Sequence, residues 1–190
     1  MTVQPSGPHE ESRVHRAADR VAQPWANGKG VTRTVAGATD GEWRISIATV
    51  TAAAEFSVYK EFSRQIMPLA AAGMTLRVNG DRIHLPQFSV LDFLGSEDVS
   101  VEDVTTPMLD LNVFTRCGRY RSSLTMITLT PDTDLTVDEG QIGVAIALGR
   151  GISYGATSLD ELDAVVLAGA GRARITGVGR VAIAAITSTS

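Results

Sequence analysis

Met74-Thr75-Leu76-Arg77-Val78-Asn79-Gly80-Asp81-Arg82-Ile83-His84-Leu85 decides the fold class. Two segments alternate apolar with polar residues, the period of a half-buried strand. Asn79-Gly80 lies between them, and Asn-Gly favours a type I′ turn because both central residues need positive φ. A two-residue β-hairpin is therefore expected here. The same period of two recurs in Trp43-Arg44-Ile45-Ser46-Ile47-Ala48. Further strands are expected at Val99–Val104, Asp110–Thr115, Leu124–Leu129, Gly143–Leu148, Asp163–Leu167, Ala173–Thr176 and Arg180–Ile186. Helix is scarce; a turn or two is expected within Ala53–Phe62. Short strands separated by Gly, Asp and Pro turns read as an all-β sandwich or barrel.

An internal echo points to two related halves. Leu85-Pro-Gln-Phe88-Ser-Val-Leu-Asp-Phe-Leu-Gly95 lines up with Leu159-Asp-Glu-Leu162-Asp-Ala-Val-Val-Leu-Ala-Gly169. Upstream, Gly73–Val78 lines up with Gly143–Leu148. A duplicated β-barrel accounts for both matches.

The chain has 190 residues, 44% hydrophobic and 20% charged, as in an ordinary globular protein. A compact body of this length buries roughly 70% of its unfolded surface, so disulfides are unnecessary. With the single cysteine Cys117, none can form within the chain. The net charge of −4 argues against a general nucleic-acid binder. Residues 1–12, rich in proline and poor in apolar side chains, read as a mobile tail without the layout of a secretory signal. The expected location is the cytoplasm. No apolar run reaches the length of a membrane helix, because Arg172, Arg174 and Arg180 interrupt the most apolar region.

Several strings imitate catalytic motifs and fail on context. Gly151-Ile-Ser153-Tyr-Gly155 matches a nucleophile elbow, yet His9, His15 and His84 all lie upstream, where no downstream base can be drawn from them. Gly177-Val-Gly179-Arg-Val-Ala182 leaves no room for a dinucleotide-binding unit after it and reads as a hairpin turn. Gly28-Lys29-Gly30 lacks the spacing and hydroxyl neighbour of a P-loop. The isolated histidines offer no metal cluster, and His84 reads as a hairpin residue. Cys117 lies between Arg116 and Arg119, and no histidine pairs with it to make a nucleophile. No metal and no cofactor are expected.

A polar and aromatic set remains. Pro24-Trp25-Ala26-Asn27-Gly28-Lys29-Gly30-Val31-Thr32-Arg33 carries an indole, an amide, a hydroxyl and two cations. Arg44 and Ser46 share one strand face, opposite Trp43, Ile45 and Ile47. Asp110, Asn112 and, on a longer strand, Arg116 share another. Turned into a barrel, Arg44, Asn112 and Arg116 beside Trp25 would form a pocket for a small anion. Arginine holds carboxylates bidentately, asparagine both donates and accepts, and indole supplies an apolar wall. Turned to solvent, the same residues would be the polar face of an ordinary antiparallel sheet.

These segments also carry a family resemblance. Pro24–Arg33 is similar to the P-W-K-N-G-G-G-x-T-R segment of the HutD/Ves family. Trp43–Ala48, then Phe56-Ser57 and Arg64, resemble its W-R-I-S-x-A and F-S segments in order. Pro107-Met-Leu-Asp110-Leu-Asn112-Val113-Phe114-Thr115-Arg116 is similar to G-P-x-x-D-x-N-V-M-x-R. The match spans about Arg16 to Arg121. It departs at Ala26, Lys29, Thr106 and Phe114, where lysine, glycine, glycine and methionine are usual. The first two departures nearly exchange a lysine across the loop.

The resemblance implies a bicupin: two small antiparallel β-barrels of the RmlC-like jelly-roll type packed as one unit. Residues 13–190 would form it, with halves of approximately 16–121 and 122–190. It further implies a link to histidine utilisation and a regulatory role through a small ligand, with an N-formylglutamate-like acid as candidate. Metal-dependent cupins carry an H-x-H and glutamate arrangement that this chain lacks.

The leading expectation is a metal-free protein binding a small carboxylate metabolite. Arg44 and Arg116 would pair the carboxylate, Asn27, Ser46 and Asn112 would place the rest, Trp25 would form a wall, and Thr32 and Arg33 would support the loop. No catalytic residue is assigned with any weight. The competing expectation is a metal-independent isomerase or hydrolase acting on a small acidic metabolite, with Asp110 as base and Tyr59 or Tyr120 as acid. There, flanking arginines would keep Asp110 ionised and weakly basic. A third is a structural or partner-binding β protein, for which exposed strand edges would suit a homodimer.

Overall fold

The computed structural model describes residues 13–130, 133–168 and 171–189. The expected tail at 1–12 and the glycine at 169 that closes the internal echo lie outside them. The strands are β1 (Arg13–His15), β2 (Ala22–Pro24), β3 (Gly30–Gly37), β4 (Trp43–Val50), β5 (Ala54–Glu55), β6 (Phe62–Pro68), β7 (Met74–Val78), β8 (Asp81–Leu85), β9 (Leu91–Leu94) and β10 (Val99–Glu102). They continue with β11 (Met108–Arg116), β12 (Tyr120–Thr128), β13 (Asp134–Val137), β14 (Gln141–Ala147), β15 (Ile152–Tyr154), β16 (Thr157–Leu159), β17 (Ala164–Ala168), β18 (Gly171–Gly177) and β19 (Arg180–Ser188). The one helical element among the described residues is a 3₁₀ turn at Ala17–Asp19. Among the described residues no helix is long and apolar enough to cross a membrane. The fold is all-β.

Among the described residues every strand pairing is antiparallel, in four sheets. A six-stranded sheet, β2-β3-β4-β11-β6-β9, faces a four-stranded one, β5-β10-β7-β8. A five-stranded sheet, β1-β17-β14-β19-β12, faces another four-stranded one, β13-β18-β15-β16. The two larger sheets pack together through Trp43, Ile45, Ile47, Leu111 and Val113 on one side and Leu124, Val144, Ile146, Ala184 and Ile186 on the other. Because side chains alternate along a strand, Trp43, Ile45 and Ile47 pointing at the neighbouring sheet forces Arg44, Ser46 and Ala48 into the first sheet pair. The N-terminal strand β1 joins the second pair, against β17. Just after it, Asp163 accepts from Arg16 Nη1 at 2.6 Å and from the Ala17 N–H at 2.7 Å.

The Asn79-Gly80 hairpin forms as expected, with φ of 50° and 92° and Val78 opposite Asp81. Ala53–Phe62 is not helical; it holds the short β5 and an irregular segment leading to β6. Phe56, Ser57 and Tyr59 from this stretch line the interior of the first sheet pair instead of forming one helical face. β3 shows no clean period of two because a bulge at Thr34/Ala36 shifts its register on β4.

The internal echo holds in one part and shifts in the other. Leu85 and Leu159 end equivalent strands, and the aligned Phe88 and Leu162 share positive φ, 64° and 68°. β9 then corresponds to β17. Because Arg64 pairs with Phe93 and Gly143 with Leu167, Gly143 corresponds to Arg64 in β6. The match of Gly143–Leu148 to Gly73–Val78 is therefore one strand off: β14 corresponds to β6, not β7. Both alignments satisfy the same apolar pattern, and only strand pairing separates them.

Candidate functional site

The interior of the first sheet pair contains a cavity of about 350 Å³. Its floor comes from three neighbouring strands in register: Arg44, Ser46 and Ala48 on β4 lie opposite Phe114, Asn112 and Asp110 on β11, and Phe114 lies opposite Arg64 on β6. Its mouth comes from the loop before β3, with Trp25 and Asn27, and from Phe56, Ser57 and Tyr59 before β6. Glu55 also lines it.

Trp25 is fixed on three sides. Its indole Nε1 donates to Thr32 Oγ1 at 2.8 Å, its backbone N–H donates to the Gly30 carbonyl at 2.9 Å, and its ring meets Phe56 edge-on at 6.3 Å. Gly30 allows this approach, since a Cβ there would lie 3.0 Å from the indole and 2.8 Å from the Thr49 carbonyl. Asn27 spends its carbonyl oxygen on the Lys29 N–H at 3.0 Å, tightening the loop and leaving its amide as a donor at the mouth.

Arg64 is the centre of the site. It is 6% exposed, and its guanidinium carbon lies 4.4 Å from the Phe114 ring, 4.7 Å from Phe93, 5.2 Å from Phe56 and 6.0 Å from Tyr59. Those rings shape an aromatic cage whose faces attract the cation. Its Nη2 donates to Asn112 Oδ1 at 3.4 Å, while its Nε is buried without a partner. Burial pushes the guanidinium down to about 10, against the pull of Asp110. It therefore stays charged at neutral pH. Arg44, across β11 from Arg64 in the same sheet, lies 4.8 Å from the Phe114 ring, and its Nε too is buried without a partner. Two cations thus share one wall, each with an unused buried donor.

Asp110 is 1% exposed. Asn112 Nδ2 donates to its Oδ2, and its Oδ1 has no partner. Burial pushes the carboxyl up to about 7; the Asn112 hydrogen bond and the Arg64 charge oppose this and do not overcome it. The expected firmly ionised Asp110 is corrected accordingly. Arg64 binds Asn112 instead of Asp110, so the carboxyl loses water without gaining a direct ion pair.

Of the residues expected from sequence, Trp25, Asn27, Thr32, Arg44, Ser46 and Asn112 line the cavity, as does Asp110. Arg116 does not. It ends β11 in ion pairs with Glu42 and Glu61, both at 2.6 Å, and stacks on Phe62 at 5.2 Å. Arg33 does not line it either; it pairs with Ile47, on the opposite face of β3 from Thr32. Tyr59 lines the cavity, whereas Tyr120 packs against the core between the two large sheets. His84 and Cys117 are exposed, away from the site. Among the described residues no group of three or more His, Cys, Asp or Glu could hold a metal ion.

Arg64 and Phe56 escaped the assignment from spacing. A signal for Arg64 existed: Phe62, Arg64 and Ile66 share a strand face, and an arginine between apolar neighbours marks a cation turned inward.

Solved structures locate this architecture among cupin-like folds. A cupin 2 conserved barrel domain protein from Leptotrichia buccalis superposes with TM-score 0.55 at 10% identity, covering 84% of this chain and 89% of its own. The HutD of Pseudomonas fluorescens SBW25, solved in a formate condition, is far more similar: TM-score 0.82, 27% identity, 95% of this chain and 100% of that one. A conserved protein of unknown function from Pseudomonas aeruginosa PAO1 gives TM-score 0.80 at 27% identity, covering 95% and 99%. Among curated sequences, an uncharacterized 21.2 kDa protein in the hutC 3′ region of Pseudomonas putida is 35% identical over 57% of this chain and 60% of its own length. Protein Ves of Cronobacter sakazakii is 32% identical over 53% and 58%. The matches thus span only about three-fifths of those two relatives. The HutD family model matches residues 17–185, nearly the whole of both sheet pairs, and on that coverage the chain belongs to the HutD family.

Proposed function

We propose that this protein binds a small carboxylate metabolite, an N-formylglutamate-like acid being the candidate, in a regulatory role in histidine utilisation. The observation that carries the proposal is the pair of buried, unpartnered Nε–H donors of Arg44 and Arg64 on one cavity wall. Buried donors without acceptors are costly, and an incoming carboxylate would satisfy both through charge-assisted hydrogen bonds. Asn112, Ser46 and the Asn27 amide supply further polar contacts for an acyl or amide group, and Trp25 and Phe56 an apolar rim. The hutC-region relative supports the pathway link. Arg64 takes the role that strand spacing alone gives to Arg116. A cytoplasmic location belongs to the same proposal.

Isothermal titration of the purified protein with N-formylglutamate, urocanate, histidine, glutamate and formate tests this. Saturable binding of at least one acid, lost in Arg64→Met, is expected. Absence of binding by every acid would overturn it and favour the structural or partner-binding alternative.

Asp110 supports a second reading. A buried carboxyl near pKa 7 with a free oxygen is suited to proton transfer, and Tyr59 lies on the same cavity. A metal-independent isomerase or hydrolase would show turnover of a bound acid that Asp110→Asn abolishes while binding persists.

A further inference from the structure

A second cavity of about 290 Å³ adjoins the first and shares Arg44, Tyr59 and Phe114 with it. The rest of its wall is Gly37, Ala38, Gly41, Trp43 and Phe62, with the exposed Thr34. Arg44 is the one charged side chain among these lining residues. An aromatic row passes between the cavities: Phe62, which lines only the second, meets Tyr59 edge-on at 6.3 Å, and Tyr59 meets Phe114 at 5.3 Å. The two spaces therefore differ in chemistry and meet at a guanidinium. One face of that guanidinium is covered by Phe114, and its Nε is buried without a partner. Its donors lie in the guanidinium plane, so an anion must approach edge-on, at the junction of the two spaces.

We propose that the second cavity is an apolar subsite for the hydrocarbon or aryl arm of an organic acid whose carboxylate is held at Arg44. This rests on the carboxylate-binding role proposed above and extends it to ligand class: acids with an apolar substituent bind more tightly than bare ones. With Arg44 engaged by the carboxylate, an arm carrying its own charge or several hydroxyls would find only Thr34, Tyr59 and the Trp43 indole as side-chain polar partners there and would lose water without replacing it. A second carboxylate would therefore stay in the first cavity beside Arg64. Gly37 and Ala38 leave the space open, since neither projects a long side chain across it.

The test is calorimetric titration of the full chain with formate, acetate, butanoate, hexanoate and phenylacetate. Affinity should rise roughly fourfold per added methylene until the cavity is filled. Thr34→Phe, placed at an exposed strand position, should cancel the gain of the longer acids and leave formate and acetate unchanged. Isotope-edited NMR on the unmutated protein provides an independent readout, in which cross-relaxation from the hexanoate methyl to Phe62 ring protons is expected. Formate binding with flat or falling affinity along the series, or a methyl group seen only near Trp25 and Phe56, would overturn the subsite and leave carboxylate binding intact. Failure of every acid, formate included, would remove both.

Discussion

At matching places in the two sheet pairs stand Arg64 and Gly143, Phe114 and Ala185, Asn112 and Ile183, Asp110 and Val181, and Arg44 and the exposed Ser123. The backbones and pairings correspond, yet one interior is a polar cavity and the other an apolar core. Val181 is 1% exposed within a cluster of Val137, Ala145, Ile152, Val165, Leu167 and Ile175. At Gly143 an added Cβ would come within 2.6 Å of Val137 Cγ2, whereas the equivalent Arg64 finds room for a whole guanidinium among the rings that line the cavity. A jelly-roll interior can thus be filled or kept as a site. In this chain the second interior is filled with apolar side chains, and the first keeps two cations and a carboxyl around a cavity.

The largest contrast should appear in pH dependence. Asp110 has a folded pKa of about 7 against 3.8 unfolded, so folding favours its neutral form. Unfolding releases its proton between about pH 4 and 7. Stability from this group is therefore highest below the unfolded value, falls as pH rises through that window, and levels off above it. The drop is on the order of 4 kcal/mol, from about three pKa units. Denaturant melts of the unmutated protein and of Asp110→Asn across pH 4–8 measure it. The variant keeps an acceptor for Asn112 and should show a much flatter profile; Val181 offers no such group in the other half.

Next in size is Arg64→Leu, which makes the first interior resemble the second. Carboxylate binding should weaken by ~1.5–3 kcal/mol, the worth of a charged hydrogen bond, read by calorimetry on folded protein. Gly143→Ala probes the converse, since overpacking a full interior should destabilise by ~1–3 kcal/mol without altering ligand affinity. An unchanged melt would mean that the second core yields more readily than its contacts imply. The smallest effect is expected for Arg116→Ala. Its ion pairs with Glu42 and Glu61 lie at the surface, so carboxylate affinity should stay within twofold, a direct check on its removal from the site.

Much of this was legible in local sequence. The Asn79-Gly80 turn needs only its own residues to specify positive φ, and the alternation Trp43–Ala48 sorts Arg44 from Ile45 by geometry alone. The paired positive φ at Phe88 and Leu162 shows that the echo reflects equivalent turns. What failed were statements depending on a second strand. Arg116 obeys the alternation of Asp110 and Asn112, but two glutamates from elsewhere in the chain, Glu42 and Glu61, claim it at the strand end.

By itself, then, the sequence determined an all-β chain, the Asn79-Gly80 hairpin and which residues share a strand face, because these depend on neighbours one or two positions apart. The hairpin expected at Gly177–Gly179 instead joins β18 and β19 across two sheets. Only the tertiary structure decided which face is inside, that Arg64 lies among Phe56, Tyr59, Phe93 and Phe114, and that Asp110 is held near neutrality. Desolvation and aromatic contact depend on what residues far along the chain bring to one point, and local pattern does not encode that distance.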